Sequence, residues 1–117
     1  MATNRTPDQP ALNGTVPAPF TPAGAGDAYS VPAGSKALVL RVTNASVASI
    51  NVTLDDPNSA APANATAFNP DVVVAVGAGV TKYIKITDFD RFKDKTTGRV
   101  LATCSATTSV TVEAFTI

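Results

Sequence analysis

A single cysteine, nine carboxylate side chains and no histidine are all that this 117-residue chain brings to acid–base, nucleophilic or metal chemistry. Without histidine it lacks the commonest general base, the usual partner of a nucleophilic Ser or Cys, and the commonest zinc ligand. One cysteine makes neither a zinc site nor an intrachain disulfide, and Cys104, inside the apolar run from Arg99, reads as a small buried hydrophobe. The adjacent carboxylates Asp55 and Asp56 stand before Pro57 in a turn sequence, where Asp accepts from the backbone rather than forming a glycosidase pair. Asp88, Asp90 and Asp94 have the spacing that opens a calcium loop, but Phe92, Lys93 and Arg99 occupy positions where such a loop needs oxygen ligands and glycine. Gly77-Ala78-Gly79 follows a strand without the third glycine and the helix of a dinucleotide site, so it is a turn. No catalytic residue, metal site or cofactor is expected.

The elements that would carry any site divide near Asp27. Residues 1–26 hold Pro7, Pro10, Pro17, Pro19 and Pro22 with Gly14, Gly24 and Gly26, and they show no hydrophobic period. Proline removes ladder donors, so this stretch predicts an extended arm without a core of its own. Leu12, Val16 and Phe20 recur every four positions, but the intervening prolines forbid a helix. They read as apolar anchors for a partner's surface.

Within residues 27–117 almost every apolar run alternates at period two, the mark of half-buried strands. Leu38, Leu40 and Val42 oppose Arg41 and Thr43, and Ile50, Val52 and Leu54 alternate with Asn51 and Thr53. The short polar link Asn44-Ala45-Ser46 predicts a hairpin between these two strands. Further strands are expected near Tyr29 and over 72–76, 82–87, 99–104 and 110–116. The long Pro-, Asn- and Ala-rich stretch 55–70 reads as a loop. Val31-Pro32-Ala33-Gly34 and Val76-Gly77-Ala78-Gly79 each place Ala-Gly at a tight corner leading into a strand. Thr87 or Asp88 can cap one helical turn whose Phe89 and Phe92 would cover an end of the body. The fold class predicted is all-β: a single β-sandwich, jelly-roll or Ig-like, of about seven or eight strands, with an extended N-terminal arm.

Lys and Arg balance Asp and Glu at nine each. No net field gathers a phosphate backbone, so nucleic acid is not an expected partner, and near-zero charge permits self-association. Met1 to Arg5 lacks the apolar core of a signal peptide, and no stretch reaches the ~18 apolar residues of a membrane span. The expectation is a protein made in a cytoplasm and remaining soluble, with no membrane partner.

The Pro/Ala/Thr-rich arm, the Val31-Pro32-Ala33-Gly34 corner, the strand Leu38 to Thr43 ending at Asn44, the Ala-Gly corner before Lys82, and the close from Gly98 to Ile117 together resemble small capsid decoration proteins of tailed bacteriophages. That resemblance implies a non-enzymatic β-sandwich on the outside of a virion, assembled in the host cytoplasm. It also implies binding to the major capsid protein and to copies of itself, a trimer being favoured, so that joints between capsid subunits are reinforced. The alternative is a carbohydrate-binding or adhesion module of a phage tail or cell surface, against which stands the absence of Trp.

Overall fold

The computed structural model describes residues 2–11, 14–63 and 68–117. Its elements follow the chain as β1 (Thr3–Arg5), β2 (Asp27–Ser30), β3 (Leu38–Asn44), β4 (Ile50–Leu54), β5 (Val72–Val76), β6 (Thr81–Ile86), α1 (Phe89–Phe92), β7 (Arg99–Cys104) and β8 (Val110–Thr116). They form a single all-β sandwich of a five-stranded sheet, ordered β1-β2-β7-β4-β5, and a three-stranded sheet, ordered β6-β3-β8. Alternation decides what lies between them. Leu38, Leu40 and Val42 of β3 meet Ile50, Val52 and Leu54 of β4, Val100 and Ala102 of β7 and Val110 and Val112 of β8 in one buried cluster. Each large aliphatic side chain withdrawn from water in this way contributes about 1.5–3 kcal/mol. In β5, Val73 and Ala75 face solvent and only Val76 is fully buried, which is the pattern of an edge strand despite its wholly apolar sequence.

Most connections cross from one sheet to the other. The two Ala-Gly corners do so in the same way: Ser35 N–H donates to Pro32 O with Gly34 at φ +85°, and Val80 N–H donates to Gly77 O with Gly79 at φ +71°. A positive φ at the third residue is the type II signature, and glycine takes it without steric cost. The first corner delivers the chain from β2 to β3 and the second from β5 to β6.

The hairpin expected between residues 38–43 and 50–54 does not form. β3 pairs with β6 and β8, while β4 pairs with β5 and β7. The cause is Asn44, whose side chain is buried and ties down the crossing backbone instead of turning it back. Its amide donates to Ala48 O at 2.8 Å, Val76 O at 3.1 Å and Gly77 O at 3.2 Å, while its carbonyl oxygen accepts from Ser46 N–H and Ser46 Oγ–H.

The N-terminal segment, predicted as an extended arm whose apolar residues anchor on a partner, packs along its own trunk. β1 runs parallel to β2 as the outermost strand of the large sheet. Farther on, Asp8 N–H donates to Ala114 O and Asp8 O accepts from Thr116 N–H, while Phe20 and Val112 exchange both backbone bonds at 2.9 and 2.8 Å. The segment therefore covers the outer edge of β8 and continues the edge beside β2. The physical reason is that sheet edges present unpaired backbone groups, and the arm supplies partners for two of them. Its prolines, Pro7, Pro10, Pro17, Pro19 and Pro22, all fall outside the pairing points, where no ladder bond is interrupted.

Candidate functional site

One cluster of functional groups lies where the arm meets the trunk. Asp27, 2% exposed, opens β2, and its Oδ1 accepts from Arg5 Nε at 2.8 Å while Oδ2 accepts from Ala23 N–H at 3.1 Å. The Arg5 guanidinium stacks 4.0 Å from the centroid of Phe20, donates to Thr21 O at 3.2 Å, and so bridges both passes of the arm. Phe20 in turn packs on buried Tyr29, ring centroids 6.1 Å apart. Between them Gly26 sits at φ +99°, and a Cβ there would stand 2.7 Å from Thr103 Oγ1 and 3.1 Å from Leu101 Cδ1. Only glycine fits.

Burial pushes the Tyr29 phenol far above its ordinary range, with Asp27 adding to the effect and Arg5 opposing it. The Cys104 thiol rises to about 11 through burial, again reinforced by Asp27. Both groups stay protonated at neutral pH, so neither is an activated nucleophile or base. A charged cluster inside a sheet, in this instance, fastens backbone rather than poising a reaction.

A second cluster holds the long loop after β4. Asp56 accepts from Asn58 N–H, Ser59 N–H and Ser59 Oγ–H and from Arg91 Nε at 2.6 Å. Arg91 also donates to Pro70 O at 2.7 Å, so one guanidinium from α1 clasps both limbs of the loop. Burial alone would raise the Asp56 carboxyl, but the bonds from Ser59, Arg91 and the backbone outweigh it and hold the group at about 2. Asp56 thus serves as the backbone acceptor that its turn sequence predicts. Asp55 is pushed upward, first by burial and then by the adjacent Asp71. α1 itself forms as expected, with Asp88 accepting from Arg91 N–H as the cap and Phe92 buried against the sandwich.

Between this loop and the outer face of the large sheet runs an open groove of about 380 Å³. Ala28, Leu101, Pro57 and Phe92 give it an apolar floor, and Asp55, Asp94 and Arg99 stand around it. Asp94 Oδ1 is engaged by Thr96 and Thr97 N–H, and Arg99 reaches Ala28 O at 3.4 Å. Among the described residues no group of three or more His, Cys, Asp or Glu is placed to hold a metal ion, and no buried side-chain polar atom is without a partner. No helix of the described residues is long and apolar enough to cross a membrane.

The three apolar arm residues read as anchors fare differently. Leu12 lies outside the described residues. Val16 is 86% exposed, in the stretch between the two points where the arm meets β8, and is free to touch another molecule. Phe20 faces its own trunk, half-buried against the core and under Arg5. Sequence reasoning missed Val47, 99% exposed in the β3–β4 corner, and the Arg5–Asp27 pair, whose partners are 22 residues apart. Only the second left a trace in the chain, as isolated charges in otherwise neutral surroundings.

The chain matches no family model, and comparison with curated proteins and with solved structures finds no similar protein.

Proposed function

We propose that this chain is a non-enzymatic structural protein that binds the outer surface of a bacteriophage capsid and stabilises contacts between major capsid subunits. The observation that carries this reading is the use of the chemically capable groups: Asp27, Arg5, Asp56, Arg91 and Asn44 are all consumed in fastening arm, loops and corners to one another. A trunk braced in this way is suited to bearing load between neighbours, and modest contacts to several capsid subunits at once add up through effective concentration. The resemblance to decoration proteins points to the same role, to the capsid exterior as its place, and to copies of itself as further neighbours.

The test is co-sedimentation of the purified chain with bare shells assembled from the major capsid protein encoded beside its gene, followed by heating of the shells with and without it. Saturable binding that raises the temperature of shell disruption supports the role. Absence of binding, or of any capsid gene in the neighbourhood, contradicts it. The groove beside Asp55 and Arg99 favours a ligand-binding module instead, and a glycan array carrying hits that Arg99→Ala abolishes would move the assignment there.

A further inference from the structure

Charge is distributed unevenly along this sandwich. No charged side chain occurs from residue 42 to 54, from 72 to 81 or from 100 to 112. These three runs meet at one end, where the corners 45–49, 77–80 and 105–109 are joined around Asn44. Besides the side-chain bonds of Asn44, its backbone carries Gly79 N–H→Asn44 O and Asn44 N–H→Val80 O, and Ala45 N–H donates to Ser109 O at 2.8 Å. Ser109 takes φ +60°, a conformation uncommon outside glycine, and it aims that carbonyl across the corner. On this tied-down surface Val47 stands 99% exposed and Val80 39%. The opposite end carries Lys36, Asp71, Asp90, Lys93, Asp94 and Lys95 on its loops and on α1.

We propose that the Asn44 end is the face that meets the shell, docking Val47 and its Ser, Thr, Ala and Gly surroundings against an uncharged surface of the major capsid protein; the inference rests on the decoration reading above. Interface centres are depleted of charge because ions must be stripped of water there, and the three corners carry none, the nearest cation being Lys82 at their border with Nζ on Ala75 O at 2.8 Å. Its loops are already bonded in place, so docking orders little that was free. The chemistry excludes other occupants. On the corners themselves phosphate finds no Lys or Arg, Lys82 at their border holding its ammonium on Ala75 O, a cation finds no carboxylate, and a sugar finds no aromatic ring. Two exposed valines are too little apolar surface for a freestanding dimer, but they suffice for a contact repeated around a shell. The charged end then faces outward, where it keeps the decorated particle dispersed.

The experiment compares wild type, Val47→Asp, Thr108→Asp and Lys95→Glu by co-sedimentation with shells of the major capsid protein, and by sedimentation velocity alone. Val47 and Thr108 are exposed, and an unchanged Tm verifies that the variants fold. The expected result is a loss of shell affinity of about tenfold or more for each Asp variant, since an unpaired carboxylate must be desolvated, with Lys95→Glu binding as wild type does and added salt having little effect. Wild type that fails to bind shells removes the decoration reading itself. Wild type that binds while both Asp variants bind equally overturns the assignment of this face alone. Wild-type self-association that the Asp variants abolish makes a second copy the occupant and also overturns it.

Discussion

Replacing Arg5 with Met removes the guanidinium that ties the arm to the trunk but keeps an aliphatic stem over Phe20. Three interactions disappear: the 2.8 Å bond to Asp27, the 3.2 Å bond to Thr21 O and the 4.0 Å stack on the ring. Removing one partner of a fully buried ion pair costs about 3–5 kcal/mol, because the other charge is left without compensation. Here the Asp27 side chain is 2% exposed but that of Arg5 is 26%, so water can enter the vacated space and rehydrate the carboxylate in part. The loss expected for Arg5→Met is therefore about 2–3 kcal/mol, below the fully buried limit. Asp27→Asn keeps an oxygen for Ala23 N–H and leaves a cation that can reach water, so about 1–2 kcal/mol is expected. The double variant should fall short of the sum by about 1–2 kcal/mol, as expected for groups in direct contact. Urea unfolding followed by circular dichroism measures all three, the chain having no Trp to report. Single-variant losses that simply add, or an Arg5→Met midpoint equal to wild type, would refute the clamp.

Three further outcomes follow from the same geometry. Gly26→Ala combines a left-handed φ with a Cβ 2.7 Å from Thr103 Oγ1, and should lower stability by about 2 kcal/mol or more in the same urea experiment. The Asp56 carboxyl is depressed in the folded state, so its contribution is complete above the ordinary carboxylate value near pH 4 and is lost as pH falls towards about 2. Thermal unfolding between those limits should therefore lose less stability in Asp56→Asn than in wild type, although the variant is the less stable of the two at neutral pH. Cys104, buried with its thiol raised to about 11, should react with a thiol reagent at pH 8 only at the rate of unfolding, and rapid labelling of the native protein would place it elsewhere.

Strand positions were legible because strand signals are local: Ile50 to Leu54 alternates, Val72 to Val76, Arg99 to Cys104 and Val110 to Thr116 are short runs rich in apolar and β-branched residues, and all four have the bounds predicted. So was the capped turn at Asp88. Pairing was not legible, since the nearest strand in sequence is the economical partner only when nothing pulls the link across the core, and Asn44 does so with its side chain. Thr3 to Arg5 escaped notice for a different reason. It carries no apolar rhythm, and the Arg5–Asp27 pair that adds to its backbone ladder spans 22 residues, so period-two reading cannot find it. Phe20 was legible as an anchor but not as one directed inward, because the choice depends on Arg5 and Tyr29, which are distant in the chain. Val47 is a lone valine in a polar corner, and its prominence arises only once three corners converge.

The whole account depends on the arm being part of the sandwich before any partner arrives, which leaves the gripping to another face. Hydrogen exchange on the free, dilute protein tests this directly at Thr3, Asp8 and Phe20, whose amides donate to Gly26 O, Ala114 O and Val112 O. Slow exchange at these three amides, comparable with that of β8, is the result predicted. Exchange at the rate of an unstructured peptide there, with β3 and β8 still protected, would contradict it.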